Sequence, residues 1–158
     1  MKERLCIYYS FEGNTEFVID KLAEMVSADK EKLETEIQPP RKGLGKFLKG
    51  GEMALTRKDP GLRKLKADLN EYREIVIAYP VWAGTCPAAI MQFLREYPLK
   101  EKTVSIIACS ASGNGTKSME EVAAIINGCK IRGMLNLINP LKNQEKTVEK
   151  LREFTRGW

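Results

Sequence analysis

Apolar residues are concentrated in five short runs, spaced as strands that alternate with helices. The runs are Leu5–Tyr9, Leu33–Ile37, Ile75–Tyr79, Val104–Cys109 and Met134–Ile138. Four of them are almost continuously apolar, which predicts strands that are covered on both faces, as in a parallel sheet. In the second run every other residue is glutamate, so an edge strand is expected there.

Helical periodicity fills the stretches between these runs. The apolar positions are Val18, Leu22, Met25 and Val26, then Ile90, Phe93 and Leu94, then Met119, Val122, Ala123 and Ile126, and finally Val148, Leu151 and Phe154. This alternation predicts an α/β fold: a doubly wound, five-stranded parallel sheet of order 2-1-3-4-5 with five helices on its two faces. In such a sheet, ligands bind beyond the carboxyl ends of strands 1, 3 and 4.

The second connection is strongly basic. Arg41–Lys66 contains nine Lys or Arg against two acidic residues, a net charge of +7, while the rest of the chain sums to −2. Glycines break the segment, and Leu44, Phe47 and Leu48 predict one short helix within it. Two interpretations stay open: a solvated loop that covers one sheet edge, or a docking surface for an acidic partner or an anionic cosubstrate.

Length and composition favour one globular domain over residues 1–158, with 43% hydrophobic and 30% charged residues. No apolar run approaches the ~20 residues of a membrane-spanning helix. The run Leu5–Tyr9 is too short for a signal peptide. We therefore expect a cytoplasmic protein without membrane insertion, and the sequence gives no sign of a nucleic-acid partner.

The chain has no histidine, which excludes Cys/His zinc sites and nucleophilic catalysis by Ser/His or Cys/His pairs. Its cysteines, Cys6, Cys86, Cys109 and Cys129, lack metal-ligand spacing, so no metal site is predicted. Cys6 and Cys109 lie in strand-like runs and are expected to be buried. These absences favour chemistry that belongs to a cofactor, with no catalytic residue of the chain.

The segment Ser10-Phe11-Glu12-Gly13-Asn14-Thr15 joins the first strand to the first helix. A tight strand-to-helix turn leaves unpaired N–H groups at the positive end of the helix dipole, where phosphate binds well. Gly13 permits a positive φ, and the hydroxyls of Ser10 and Thr15 can donate to phosphate oxygens. No Lys or Arg lies between Arg4 and Lys21, so neutral dipoles hold the anion. The alternative is an ordinary helix cap at Asn14 or Thr15.

Two further loops belong on the same rim of the predicted sheet. The third strand leads into Pro80-Val81-Trp82-Ala83-Gly84, an aromatic plane beside a glycine. The fourth leads into Ser110-Ala111-Ser112-Gly113-Asn114-Gly115, which offers hydroxyls, amides and close backbone approach. A phosphate cradle, an aromatic plane and a small-residue loop together indicate a site for a phosphorylated planar molecule.

These three motifs resemble those of the flavodoxin family, and the resemblance covers essentially the whole chain. The first is similar to the family's phosphate loop, T/S-x-T/S-G-x-T, and Pro80-x-Trp82-x-Gly84 and Ser110–Gly115 are similar to the loops on either side of its flavin. The short connection after the last strand resembles the short-chain type. The resemblance implies FMN as cofactor.

By the same resemblance, Ser10, Gly13, Asn14, Thr15 and the N–H of Glu12 bind the phosphate, and residues 80–84 and 110–115 flank the ring. The family's ring loop also contains a peptide that turns over to accept a hydrogen bond from the reduced flavin, and Ala83–Gly84 matches it. The implied cofactor-binding set is Ser10, Glu12, Gly13, Asn14, Thr15, Pro80, Val81, Trp82, Ala83, Gly84, Ser110, Ala111, Ser112, Gly113, Asn114 and Gly115.

Three features depart from the family pattern. Glu12 replaces a hydroxyl residue, so its side chain cannot donate to phosphate. The Ser110–Gly115 loop has no tyrosine, which leaves the outer ring face more open. The net charge is +5, and neither ring loop contains Asp or Glu. Coulombic reasoning therefore predicts a less negative second reduction potential than in acidic flavodoxins.

The sequence lacks residues that three other folds or motifs require. A receiver domain needs an acidic pair after strand 1 and an Asp ending strand 3, whereas this chain has Ser10-Phe11 and Tyr79-Pro80. Gly115-Thr116-Lys117-Ser118 lacks the glycine next to lysine that a P-loop requires, and it follows the wrong strand. A GxGxxG dinucleotide fingerprint is absent.

Three function classes remain. The favoured one is an electron carrier whose FMN exchanges electrons with redox partner proteins. The alternative is an FMN-dependent oxidoreductase that takes hydride from NAD(P)H and reduces a quinone-type acceptor; the missing tyrosine and the basic segment support it. The third is an interaction module that keeps the fold without flavin.

Overall fold

Five parallel strands form one sheet in the order β2-β1-β3-β4-β5, which confirms the predicted topology. The computed structural model describes residues 1–38 and 59–158. In chain order the elements are β1 (Lys2–Tyr8), α1 (Asn14–Val26), β2 (Asp29–Lys32), a 3₁₀ turn (Leu69–Glu71), β3 (Tyr72–Pro80), α2 (Ala88–Glu96), β4 (Thr103–Ser110), α3 (Gly115–Ile125), β5 (Lys130–Ile138) and α4 (Gln144–Phe154). The short helix predicted at Leu44, Phe47 and Leu48 lies outside the described residues.

The three central strands are covered on both faces, as their continuous apolar runs predict. Ile7, Ile77 and Ile106 are aligned across β1, β3 and β4, and all three are fully buried. On that face the core continues into α2 and α3. The opposite face of the same strands packs on α1 and α4. The carboxyl ends of the central strands are thereby fixed between two helical layers.

The second strand was predicted at Leu33–Ile37, and this placement is wrong. The strand is Asp29–Lys32, four charged residues paired in parallel with β1. Its position is set by main-chain hydrogen bonds to β1, which leave no apolar signal in the sequence. It does lie at the sheet edge, as expected. The segment after it carries the alternation, because Leu33 and Thr35 are buried and Thr35 forms an isolated antiparallel bridge to Leu62.

The last strand was predicted to be covered on both faces, and this is wrong as well. β5 is the other edge strand, where Met134 and Ile138 are each 43% exposed. Leu137 on the opposite face is fully buried. An edge strand has a neighbour on only one side, so the helices that flank it cover it incompletely.

A cluster of charges occupies the amino-terminal end of the sheet. The Glu74 carboxylate on β3 accepts a hydrogen bond from Arg4 Nε on β1 at 2.6 Å and also pairs with Arg132 on β5. The two guanidinium carbons lie 5.9 and 5.2 Å from the ring centroid of Trp158. This cluster lies at the opposite end of the strands from the loops discussed below. None of the described helices is long and apolar enough to cross a membrane.

Candidate functional site

A cavity of about 270 Å³ opens at the carboxyl ends of β1, β3 and β4. This is the point where the strand order reverses and where ligands bind in doubly wound sheets. Four loops contribute the lining, which consists of Ser10, Phe11, Glu12, Asn14, Thr15, Pro80, Val81, Trp82, Ala83, Cys109, Ser110, Ala111, Asn139 and Pro140. The three loops that the sequence predicted to meet on one rim therefore do so.

The first loop turns into α1 at Gly13, which has φ +97° and is the residue before the first helical position. The alternative cap at Asn14 or Thr15 is therefore wrong, because Asn14 and Thr15 are already helical. The Ser10 hydroxyl oxygen accepts the Glu16 N–H at 3.1 Å and closes the turn. The N–H groups of Asn14 and Thr15 have no partner within the helix and lie at the positive end of its dipole.

Thr15 carries the most informative side chain of this loop. It is 1% exposed, and its Oγ1 has no hydrogen-bond partner of ordinary geometry within the described part of the chain. Its polar neighbour is the Cys109 thiol; burial raises the pKa of this thiol to about 12, and the Thr15 hydroxyl acts in the opposite direction. A buried hydroxyl without a partner costs about 1–3 kcal/mol. An anionic oxygen bound in the cavity removes that cost.

The Asn14 side chain serves a different purpose from the predicted one. Its Oδ1 accepts the N–H of Leu141 at 3.1 Å, which ties the first loop to the loop after β5. The amide oxygen is therefore engaged within the protein. Asn14 lines the cavity, but the sequence gives no sign that residue 141 is its partner.

The second loop is a tight hairpin turn that presents Trp82. Trp82 and Thr85 exchange both main-chain hydrogen bonds at 3.0 Å, and the two residues between them have positive φ, +49° at Ala83 and +76° at Gly84. These values are those of a type I′ turn. The indole meets Tyr9 and Phe11 edge-on, with ring centroids 5.7 and 5.8 Å apart. Two aromatic neighbours thus hold the plane of Trp82 at the cavity.

Position 83 of this turn is strained, because alanine in the left-handed region costs about 1–2 kcal/mol. We expect Ala83→Gly to raise the free energy of unfolding by about 1 kcal/mol. The matched change Gly84→Ala is expected to lower it by about 1 kcal/mol, although a Cβ there meets nothing within 4 Å. Urea unfolding of both variants measures the difference. Equal effects of the same sign would contradict the turn geometry.

The third loop contributes fewer lining residues than predicted. Ser110 is buried, and its hydroxyl donates to Asn136 Oδ1 at 3.0 Å and accepts the Gly113 N–H at 3.2 Å. Gly115 is also buried, where a Cβ would stand 2.2 Å from Asn136 Oδ1. Both residues therefore contribute to the conformation of the loop through their contacts with Asn136. Of the predicted set, the lining lacks Gly13, Gly84, Ser112, Gly113, Asn114 and Gly115.

Four lining residues were not among the predicted site residues: Phe11, Cys109, Asn139 and Pro140. Phe11 lies inside the first motif, but a phenyl group cannot bind phosphate. Cys109 is the penultimate residue of β4, and its apolar neighbours in the sequence predict a core position. Asn139-Pro140 follows β5 directly and is a turn dipeptide, so it could have been identified as part of a rim loop.

Charge is sparse around the cavity. Glu12 is the charged residue among the described lining, and no described Lys or Arg lines it. The lack of a lining cation in the described residues agrees with the prediction, whereas Glu12 adds a negative side chain to the lining. Within residues 1–38 and 59–158 we find no group of three or more Cys, Asp or Glu side chains that could hold a metal ion.

Burial of two thiols predicts a loss of stability at alkaline pH. Burial raises the pKa of Cys6 and of Cys109 to about 12, from an ordinary value near 9. Between about pH 9 and 12 the unfolded chain loses protons that the folded protein retains. The free energy of unfolding therefore falls as pH rises, by up to about 1.4 kcal/mol per pH unit for each thiol. Urea titrations across this range measure the slope.

Cys109→Ala should make the free energy of unfolding depend less steeply on pH, by the contribution of about one proton. This holds whatever the substitution does to stability at pH 7. Cys129→Ala is the comparison: burial raises the pKa of this thiol as well, but Cys129 is only partly buried, so the change in slope should be smaller. A slope that is unchanged in Cys109→Ala would contradict the assignment of the pH dependence to this thiol.

The geometry defines a class of protein: a doubly wound α/β domain with a helix N-terminus, an aromatic plane and a small-residue loop around a cavity at its switch point. A family model for flavodoxin matches residues 3–153 of the sequence. The chain belongs to the flavodoxin family, as its motifs predicted. A sequence search of the curated proteins finds no match.

Solved structures share the fold over nearly the whole chain. A putative flavoprotein from Bacteroides eggerthii DSM 20697 matches with TM-score 0.78 and 21% identity, covering 99% of both chains. A flavoprotein from Lactobacillus acidophilus NCFM, in complex with FMN, matches with TM-score 0.70 and 19% identity, covering 92% of this chain and 98% of that one. An NADPH-quinone reductase from P. pentosaceus matches with TM-score 0.62 and 10% identity, covering 100% and 99%. At these identities the likeness concerns the fold.

Proposed function

We propose that the protein binds FMN in this cavity and works as an electron carrier between redox partner proteins. The observation that carries the proposal is the buried Thr15 hydroxyl, which has no partner of ordinary geometry and stands at the N-terminus of α1. FMN is the cofactor of the flavodoxin family, and the related structure from Lactobacillus acidophilus is a complex with FMN.

The residues present fit this cofactor. The N–H groups of Asn14 and Thr15, the Thr15 hydroxyl and the helix dipole suit a phosphate dianion. Trp82 and Ala111 stand on different loops of the cavity and can flank a planar ring. Bound FMN supplies one- and two-electron redox chemistry, and the chain holds and orients it. Of the proposed contacts, Ser10, Gly13 and Ser110 act through the shape of their loops.

We favour the carrier because only two titratable side chains stand in the described lining of the cavity. The titratable groups of the described lining are Glu12 and the Cys109 thiol, whose pKa is about 12. The thiol stays protonated throughout the physiological range. An electron carrier needs no general acid or base, whereas a hydride-transfer enzyme gains from one.

A second candidate is an FMN-dependent NAD(P)H:quinone-type oxidoreductase, and one observation favours it. A groove of about 500 Å³ adjoins the cavity and shares Ser10 and Phe11 with it. Lys32 and Arg63 line this groove together with Glu16 and Glu34, with which they form ion pairs at 3.0 and 3.7 Å, so its polar walls rather than a net positive charge would hold a cosubstrate such as a nicotinamide dinucleotide. The related structure from P. pentosaceus is named an NADPH-quinone reductase.

The partner of a carrier would dock beside β2, where five cations gather and three of them form ion pairs, Lys30 with Asp20, Lys32 with Glu16 and Arg63 with Glu34. Lys30, Lys32, Arg63, Lys64 and Lys66 surround a hollow with Glu31 and Glu34. The Glu31 carboxylate accepts the N–H groups of Lys66 and Ala67, which offsets part of its charge. An acidic surface on the partner complements this patch. Four free cysteines suit a reducing compartment, so we place the protein in the cytoplasm.

One experiment separates the two functions. The purified protein, reconstituted with FMN, is mixed with NADPH and a quinone without any reductase. The carrier predicts oxidation of NADPH no faster than with free FMN, and the oxidoreductase predicts rapid turnover. A protein whose flavin fluorescence titration shows no binding of FMN would contradict both and support the flavin-free interaction module.

A further inference from the structure

The loop after β5, residues 139–143, touches two of the three predicted loops. It lines the cavity through Asn139 and Pro140. None of the three family motifs includes it. Its contacts fall into two groups, one toward the first loop and one toward the third.

Toward the first loop, the N–H of Leu141 donates to Asn14 Oδ1 at 3.1 Å. A Cβ on Gly13 would stand 3.6 Å from Leu141 Cδ1, so the Leu141 side chain lies against the turn that starts α1. Both contacts fall beside the backbone that presents the N–H groups of the anion cradle. The β5–α4 loop therefore supports the phosphate end of the cavity.

Toward the third loop, Asn139 makes two hydrogen bonds. Its main-chain N–H donates to the Ser110 carbonyl at 2.9 Å, and its side-chain Nδ2 donates to the Ala111 carbonyl at 3.1 Å. Ile138, the last residue of β5, lies against Gly113. The backbone of residues 110–111, which faces the ring end of the cavity, is thus held from the same segment.

The segment is rigid enough to fix one end relative to the other. The Asn139 carbonyl accepts the N–H groups of Lys142 and Asn143 at 3.0 and 3.1 Å. Asn143 Nδ2 donates to the Ile138 carbonyl at 3.0 Å. Asn139 itself has φ +42°, a conformation that asparagine adopts more readily than other side-chain-bearing residues.

We propose that the β5–α4 loop is a fourth binding loop of this site and that Asn139, with Asn14, sets the spacing between the phosphate cradle and the ring loop. The inference rests on the proposed binding of FMN. Asn139 and Asn14 act as positioning residues through the backbone they hold. Their effect is on a ligand that engages both ends of the cavity at once.

The two-ended nature of FMN gives this role a distinct signature. When a ligand is held at two points, the second contact forms at an effective concentration that depends on the spacing of the two sites. A change in the spacing of the two ends therefore weakens the binding of FMN. Riboflavin lacks the phosphate, engages only the ring end and is indifferent to the spacing.

The test is fluorescence titration of the ligand-free protein with FMN and with riboflavin. Asn139→Gly keeps the left-handed backbone and removes the Nδ2 donor, and Asn14→Ala removes the acceptor of the Leu141 N–H. Each substitution is expected to raise the Kd of FMN by about tenfold, which corresponds to the free energy of one hydrogen bond. The Kd of riboflavin should rise by no more than about twofold. Asn127→Gly, an exposed asparagine before β5, is the control and should change neither.

A double substitution tests whether the two asparagines act through the same loop. Asn14→Ala is expected to weaken the binding of FMN selectively, as Asn139→Gly does. The double variant Asn14→Ala with Asn139→Gly should lose less FMN affinity than the product of the two single fold-changes. If Asn139→Gly unfolds at too low a temperature to be titrated, the binding of FMN and of riboflavin is compared between Asn14→Ala and wild type. Equal weakening of FMN and riboflavin, or FMN affinity within twofold of wild type, overturns the inference. Failure of the wild-type protein to bind FMN overturns the proposed function instead.

Discussion

Replacing Thr15 by valine is expected to stabilise the ligand-free protein and to weaken its binding of FMN. The two effects have one cause, because the Thr15 hydroxyl is buried without a partner of ordinary geometry until an anion arrives. Removal of that buried polar group should raise the free energy of unfolding by about 1 kcal/mol. Loss of a hydrogen bond to a charged phosphate should cost about 1.5–3 kcal/mol of binding, or roughly 10–100-fold in Kd.

Urea unfolding without ligand and flavin fluorescence titration with FMN measure the two effects separately. Thr15→Ser is the matched control, since it keeps the hydroxyl and should hold FMN affinity within about threefold of wild type. Riboflavin should bind the valine variant as it binds wild type. A valine variant that binds FMN as tightly as wild type would show that this hydroxyl does not face the phosphate.

The largest loss of stability is expected from Glu74→Ala. The Glu74 side chain is 13% exposed and neutralises Arg4, which is 12% exposed, and Arg132. Its removal leaves the two guanidinium groups together, with only a 3.9 Å contact between Arg4 and the exposed Glu3 in the described part of the chain. Breaking a buried charge cluster in this way costs about 3–5 kcal/mol. At roughly 2–4 °C per kcal/mol for a domain of this size, the melting temperature should fall by about 6–20 °C.

Glu71→Ala is the matched control. Glu71 lies at the same end of the sheet and pairs with Lys2 at 3.8 Å, but both side chains are more than half exposed. Exposed pairs contribute about 0–1 kcal/mol, so this variant should melt within a few degrees of wild type. Similar melting temperatures for the two alanine variants would contradict the role assigned to the buried cluster. FMN binding should be unchanged in both, because the cluster lies at the far end of the strands.

The central strands could be predicted because burial on both faces imposes a continuous apolar run. Ile75–Tyr79 and Val104–Cys109 show this pattern and lie within β3 and β4. β2 could not be located in the same way, because four charged residues form it through main-chain pairing with β1. The strand order itself follows from the strict alternation of strands and helices.

The site was predicted in part. The first loop has a local signature, since a glycine between a strand and a helix fixes the turn and the N–H groups that follow it. The roles of Asn14, Ser110 and Gly115 depend on partners far along the chain, Leu141 for the first and Asn136 for the other two. No local pattern reports such a partner.

The α/β architecture and the position of the cavity follow from local patterns, because each depends on residues that lie close together in the chain. Only the tertiary structure decided which side chains face the cavity and that the loop after β5 joins the others. That decision rests on hydrogen bonds between residues up to 127 positions apart, as for Asn14 and Leu141. Packing of the sheet brings such residues together, and short-range periodicity carries no record of it.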